Sequence, residues 1–94
     1  MPRAVWNGVV LAESDRCLEV EGNCYFPADS LNREYFQEST SHTLCMWKGI
    51  ASYYNVKVHG QVNVNAAWYY PKPWPLGWKI RDHVSFWHGV RIEQ

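Results

Sequence analysis

The sequence predicts a mainly β protein, built as a barrel or as a folded double sheet with one short helix. About eight short apolar segments recur along the chain, and turn residues separate them roughly every ten residues. Only residues 28–38 show the spacing of a helix. Because 94 residues are too few for two independently stable cores, we expect a single domain over residues 1–94.

Three turn signals place the hairpins. They are Asn7-Gly8, Glu21-Gly22-Asn23 and His59-Gly60, and each lies between two apolar segments. Gly and Asn adopt the positive φ angles that tight hairpin turns require. The sequence therefore predicts hairpins centred on all three turns.

The third hairpin is predicted to have one covered face and one face in water. In its first strand Tyr54, Val56 and Val58 alternate with Tyr53, Asn55, Lys57 and His59. In its second strand Val62, Val64, Ala66 and Trp68 alternate with Gln61, Asn63 and Asn65. Such alternation is typical of an antiparallel sheet that packs on the core with one face only.

The predicted helix and a proline-rich loop complete the expected elements. Over residues 28–38, Asp29 or Ser30 can cap a helix whose apolar positions include Leu31 and Tyr35. Polar residues 39–43 then predict a loop. Residues 70–78 contain three prolines and cannot form an inner strand, so they either cover one end of the sheet or wall a binding site. Alternation over residues 83–92 predicts the closing strand.

Composition excludes several classes of function. Nine basic and nine acidic residues give zero net charge, so no basic surplus supports nucleic-acid binding. No segment approaches the roughly 18 apolar residues of a membrane span, and the N-terminus lacks the apolar region of a signal peptide. We therefore expect a cytoplasmic protein. Zero net charge and six tryptophans favour a homo-oligomer as a possible state.

Metal and cofactor chemistry are not indicated. The three cysteines include no CxxC pair, and His42, His59, His83 and His88 show no ligand spacing. We expect reduced thiols, no metal site and no cofactor. Glu13 with Asp15 resembles a metal-binding carboxylate pair, but the phosphate-cradling glycine loop that nucleotidyl transfer would need is missing.

The segment Thr43 to Tyr54 holds the candidate site. It brings a thiol, Cys45, and an amine, Lys48, into an aromatic neighbourhood. Lys48 either binds an anionic group, acts as an amine nucleophile, or extends its head into water. Cys45 is either a reactive thiol, which a nearby ammonium would activate, or a buried structural cysteine. On a regular strand the two side chains would face apart, and only a turn at residues 47–49 would bring them together.

Aromatic residues are predicted to line a ligand pocket around Lys48. The predicted ligand-binding set is Lys48, Cys45, Trp47, Tyr25, Tyr54, Trp68 and Tyr70. Aromatic walls bind planar or cationic molecules by stacking and cation–π contacts. The alternative is that these side chains form the core of a small domain.

Motifs along the whole chain resemble the family called domain of unknown function 427. They are Tyr25-Phe26-Pro27, Cys45-Met46-Trp47-Lys48-Gly49, Ala66-Ala67-Trp68-Tyr69-Tyr70-Pro71 and Val84-Ser85-Phe86. Met46 departs from the pattern, since family members usually carry Pro there. The resemblance implies a β-tent, in which two antiparallel sheets splay apart, and it implies no established activity.

Three functional hypotheses follow. The first is a binding domain that holds a small ligand or a protein partner in the aromatic pocket around Lys48. The second is a thiol or redox enzyme that uses Cys45, by analogy with the methionine-R-sulfoxide reductases that share the β-tent. The third is a homo-oligomeric interaction module. Whether the protein is an enzyme stays open at this point.

Overall fold

The computed structural model describes residues 1–94 and is mostly β, with 57% of residues in strands. The nine strands are β1 (Arg3–Trp6), β2 (Val9–Glu13), β3 (Leu18–Val20), β4 (Asn23–Pro27), β5 (Phe36–Cys45), β6 (Gly49–Val58), β7 (Gln61–Tyr69), β8 (His83–Phe86) and β9 (Arg91–Glu93). A three-stranded sheet has the order β2-β1-β9, and a six-stranded sheet has the order β3-β4-β8-β7-β6-β5. All pairings are antiparallel, which confirms the predicted pair of antiparallel sheets.

The three predicted hairpins are confirmed. At the first turn Asn7 has a φ of 53° and Gly8 a φ of 76°. The turns at Glu21-Gly22 and His59-Gly60 have the same pair of positive φ angles. This geometry matches the right-handed twist of the flanking strands, so the local sequence alone selects these turns.

The predicted helix over residues 28–38 is wrong. Two short 3-10 turns, Ala28–Ser30 and Arg33–Tyr35, replace it, and neither has a side-chain cap. Between them Leu31 is extended and forms a β-bridge with Ala12. Tertiary pairing therefore overrides the weak helical spacing, and the predicted loop at residues 39–43 lies within β5.

The predicted faces of β7 are also wrong in part. Val62 and Val64 are 49% and 61% exposed, although the alternation placed them in the core. The β6–β7 register shifts between Tyr54 and Val56, and Asn65 on β7 has a φ of 54°. An irregularity of this kind moves the following side chains to the opposite face.

The long hairpin keeps one face in water near its turn, where Lys57, His59 and Gln61 are exposed, but farther from the turn both faces are covered, contrary to the prediction. Val56, Phe26 and Leu11 belong to a large core that joins the two sheets. The other face carries a smaller cluster of six buried residues, which we call the aromatic cluster: Val20, Tyr25, Ala51, Tyr53, Tyr70 and Ile80. This second cluster positions the candidate site.

The end of the chain ties the two sheets together. The predicted closing strand is divided into β8 and β9 by a turn in which His88 and Gly89 have positive φ. β8 lies in the large sheet, whereas β9 pairs with β1 in the small one. Before it, the proline-rich segment forms no strand, as predicted, and ends in the 3-10 turn Pro75–Ile80. The structure contains no helix long and apolar enough to span a membrane.

Candidate functional site

A three-residue turn brings Cys45 and Lys48 to the same end of the sheet. Cys45 pairs with Gly49 across the β5–β6 hairpin, so residues 46–48 form the turn between them. Gly49 has a φ of 114°, a conformation that L side chains rarely adopt. The glycine therefore allows the tight turn that was required for the thiol and the amine to approach each other.

The Lys48 side chain is buried and fully engaged. The residue is only 5% exposed, and its ammonium pairs with the Glu21 carboxylate and donates a hydrogen bond to the Tyr25 hydroxyl at 3.3 Å. The ammonium nitrogen also lies 5.0 Å from the ring centre of Trp47 and 5.7 Å from that of Tyr70. Burial alone lowers the pKa of Lys48, but the hydrogen bonds to Glu21 and Tyr25 outweigh it and raise the pKa. The protonated form is stabilised, which disfavours the role of an amine nucleophile.

The Lys48 turn is docked against residues 71–78, which we call the strap. The Trp74 amide donates to the Lys48 carbonyl at 2.9 Å. A Cβ atom at Gly77 would lie 3.0 Å from the Lys48 Cα, so glycine is needed for this close approach. The side-chain cluster and the strap are therefore held together through one residue.

Most of the predicted ligand-binding residues come together here, and one does not. Trp68 donates its indole N–H to the Tyr25 hydroxyl at 3.2 Å, which joins it to the Lys48 surroundings. Tyr54 lies on the opposite face of β6, where its ring stacks on Tyr69 with centres 4.5 Å apart. The predicted set is therefore divided between two faces of one sheet.

The Cys45 thiol is partly exposed and polarised by its surroundings. Burial raises its pKa, but the backbone N–H groups of Trp47 and Lys48, the Lys48 ammonium and the Tyr70 hydroxyl together lower it below the ordinary value. Cys17 shows the opposite behaviour, because burial and the neighbouring Cys24 thiol raise its pKa to about 12. The surroundings therefore favour the thiolate form of Cys45 and the thiol form of Cys17.

The open space lies beside the Lys48 surroundings. None of the three cavities is lined by Lys48 itself. A cavity of about 240 Å³, which we call the tyrosine cavity, is lined chiefly by Arg33, Tyr54, Tyr69, Tyr70, Asp82 and His83. A cavity of about 370 Å³, which we call the tryptophan cavity, is lined by His42, Ile50, Ser52, Pro71, Lys72 and Trp74. A third, of about 280 Å³, adjoins the tyrosine cavity at Asp82 and His83.

The tyrosine cavity presents several oriented polar groups. The Arg33 guanidinium donates to the Tyr54 hydroxyl at 3.2 Å and to the Ala28 carbonyl at 3.3 Å. His83 Nδ1 lies 2.7 Å from the Arg81 carbonyl oxygen, so neutral His83 donates from Nδ1 and offers Nε2 as an acceptor.

The hydroxyls of Tyr69 and Tyr70 stay protonated in the tyrosine cavity. Burial is the main cause that raises the pKa of each to about 12. The cavity is therefore walled by neutral phenols, which both donate and accept hydrogen bonds.

Sequence reasoning missed the charged residues of this cavity. Arg33, Asp82 and His83 are brought together by the pairing of β4 with β8 and by the turns that precede β5 and β8. No linear spacing signals such a grouping. The proline-rich segment, predicted as a possible wall, and the predicted ligand-binding residues Tyr54 and Tyr70 did point to this region. No group of three or more His, Cys, Asp or Glu side chains is placed to hold a metal ion.

We expect Glu21→Gln to destabilise the protein at neutral pH more than Lys48→Met does. Glu21→Gln leaves the buried ammonium without a carboxylate, whereas Lys48→Met removes the buried charge and leaves Glu21 in contact with water. Chemical denaturation of both variants measures the difference in the free energy of unfolding. The reverse order of stability would contradict this description of the ion pair.

The pH dependence of stability gives a second readout of the same variants. The hydrogen bond from Lys48 lowers the pKa of Glu21, so this stabilisation is present above the unfolded value of about 4.3 and is lost as the pH falls through the folded value. The pKa of Lys48 is raised, so the stabilisation that its ammonium provides is lost only as the pH rises above the unfolded value of about 10.4. Wild type and Glu21→Gln should therefore converge at acidic pH, and a difference that persists there would contradict the assignment.

Comparison with known proteins places the whole fold in one family. Residues 2–94 match the family described as a domain of unknown function, DUF427. The match covers the strands, the Lys48 turn and the strap together. A search of curated proteins finds no significant match. The chain belongs to the DUF427 family.

Proposed function

We propose that this protein binds a small zwitterionic molecule of the amino-acid class in the tyrosine cavity. The observation that carries the proposal is the pairing of charges on its wall. Arg33 and Asp82 both line the cavity, and neither takes part in an ion pair within the protein. An α-amino acid supplies a carboxylate for Arg33 and an ammonium for Asp82.

The remaining walls suit an organic side chain. Tyr54 and Tyr69 are stacked on each other and already ordered, so a ligand contacts them without ordering new side chains. The aromatic faces accept an apolar or planar group, and the hydroxyls and His83 Nε2 provide polar partners. The cavity thus combines apolar contact with a few oriented polar groups, as small-molecule sites commonly do.

The size of the cavity limits the ligand. At about 240 Å³ it lies below the roughly 300–1,000 Å³ of drug-sized sites. A free amino acid matches this scale. With about ten contacting atoms at roughly 0.3–0.6 kcal/mol each, the dissociation constant is expected on the order of millimolar to tens of micromolar.

Lys48 does not line the tyrosine cavity but lies behind Tyr70, which forms part of its wall. Tyr70 lines the tyrosine cavity, and the Lys48 ammonium lies 5.7 Å from the centre of its ring. In this proposal the predicted cluster around Lys48 positions Tyr70, while the ligand contacts Tyr70 and the charged residues beyond it. The first hypothesis is thereby kept, with the site moved from Lys48 to the neighbouring cavity.

Three probes that differ only in charge test the proposal. They are L-phenylalanine, 3-phenylpropionate, which lacks the ammonium, and phenethylamine, which lacks the carboxylate. We expect Arg33→Gln to weaken the binding of the two probes that carry a carboxylate and to leave the binding of phenethylamine unchanged. Asp82→Asn should weaken the binding of the two probes that carry an ammonium and leave the binding of 3-phenylpropionate unchanged. Each loss is expected to be about tenfold, because a charge-assisted hydrogen bond is removed. NMR titration measures the dissociation constants.

Two features of the chain sharpen this experiment. Asp82 has a φ of 59°, which Asn tolerates, so Asp82→Asn retains the backbone conformation. Arg91→Gln is the matched control, because Arg91 lies on the small sheet and lines none of the three cavities. The proposal is abandoned if phenylalanine does not bind, or if both charge variants weaken all three probes equally.

A second candidate function is thiol chemistry at Cys45. The observation that favours it is the set of donors around the sulfur, namely the N–H groups of the turn and the Tyr70 hydroxyl. These donors stabilise a thiolate, which is the nucleophilic form of cysteine. Partial exposure gives a reagent access to the sulfur.

Alkylation by iodoacetamide tests this candidate. The Cys45 sulfur forms a bond to the methylene carbon, and iodide leaves. We expect Cys45 to react at least about tenfold faster than Cys17 near neutral pH, since the pKa of Cys17 is raised to about 12. Lys48→Met should slow the Cys45 reaction and leave Cys17 unchanged. Equal rates at the two cysteines in the native protein would exclude an activated Cys45, and peptide mass spectrometry measures both rates.

A further inference from the structure

The tryptophan cavity lies directly beside the tyrosine cavity. Pro71 lines both and is exposed, so it forms a ridge at the surface between them. Beneath the ridge Ser52 on β6 pairs with Tyr69 on β7, and each contributes to one of the cavities. The two cavities are therefore adjacent parts of one surface.

The charges of the two cavities differ. The tyrosine cavity carries Arg33 and Asp82, whose charges cancel, whereas the tryptophan cavity has Lys72 and no carboxylate among its lining residues. Lys72 takes part in no ion pair within the protein. An unpaired ammonium in a partly apolar cavity favours an anionic ligand group.

His42 adds a second group for an anion. Its Nδ1 lies 3.3 Å from the hydroxyl oxygen of Ser52, which is 8% exposed, and this contact orients the imidazole. Nε2 has no partner within the protein and is free to donate to a ligand.

The Trp74 wall of this cavity is fixed in place. The Trp74 amide donates a hydrogen bond to the Lys48 carbonyl. Trp74 also packs closely on Gly49, where an added Cβ atom would lie only 3.4 Å from it. The residue as a whole remains 42% exposed. An immobilised and accessible indole offers a stacking surface at a low cost in conformational entropy.

We infer that the two cavities form one bipartite site, in which the ligand crosses Pro71 and places a terminal anion between Lys72 and His42. The inference rests on the proposed function, since the amino-acid head group lies in the tyrosine cavity. The ligand class becomes narrower: an α-amino acid whose side chain ends in a phosphate or carboxylate. The ligand's side chain contacts the stacked Tyr54 and Tyr69 rings, passes over Pro71 and ends beside Trp74.

Comparison of L-tyrosine with O-phospho-L-tyrosine tests this inference. The two probes differ only in the terminal phosphate. We expect phosphotyrosine to bind wild type about tenfold more tightly than tyrosine, because the phosphate gains charge-assisted contacts. Lys72→Gln should remove most of this gain and leave tyrosine binding unchanged. Arg33→Gln should weaken both probes by the same factor. Lys79→Gln is the matched control, since Lys79 directly follows the strap, is exposed and lines neither cavity.

The outcomes separate the two proposals. If tyrosine binds and phosphotyrosine shows no gain, or a gain that Lys72→Gln leaves intact, the bipartite site is overturned and the proposed function stands. If tyrosine does not bind and phosphotyrosine shifts only the Trp74 indole resonance, both proposals are overturned. Inorganic phosphate is the remaining probe: if it binds beside Trp74 as tightly as phosphotyrosine does, the link across Pro71 is overturned.

Discussion

The contact between the Lys48 turn and the strap is the constraint on which this end of the protein depends. A buried ammonium is tolerated because Glu21 and Tyr25 satisfy it and aromatic rings surround it. The same residue accepts the Trp74 amide through its carbonyl and packs on Gly77. One lysine thus connects the β3–β4 turn, the β5–β6 turn and the strap, which are distant in sequence.

The residues that stabilise this end of the protein lie on a different face of the large sheet from the cavities. On one face of the large sheet the aromatic cluster and Lys48 are closed and leave no cavity around the ammonium. On the other face Ile50, Ser52 and Tyr54, at alternate positions of β6, line the two cavities that flank Pro71. Tyr70 belongs to both regions, because it lines a cavity and contacts the buried ammonium. The docking of the strap on the Lys48 turn, rather than a charge exposed at Lys48, shapes the surface at which we propose that the ligand binds.

Sequence reasoning succeeded where the controlling interactions are local. The turn at Asn7-Gly8 follows from the φ angles that its residues prefer, and the motif around Lys48 lies within one hairpin. It failed where pairing between distant segments decides the structure. Residues 28–38 do not form the predicted helix, because Leu31 pairs with Ala12. The irregularity at Asn65 leaves part of β7 exposed where the alternation predicted burial. The charged cavity residues come from separate segments, so no motif could have indicated them.

Amide hydrogen exchange at Trp74 measures whether Lys48 holds the strap, because this amide donates a hydrogen bond to the Lys48 carbonyl. We expect strong protection of the Trp74 amide in the wild-type protein, comparable to that of the β6–β7 ladder. In Gly77→Ala, whose new methyl group would press on the Lys48 Cα, Trp74 should exchange at least about tenfold faster while the β6–β7 ladder changes less. Exchange of the wild-type Trp74 amide at the rate of an unfolded chain would show that Lys48 does not hold the strap.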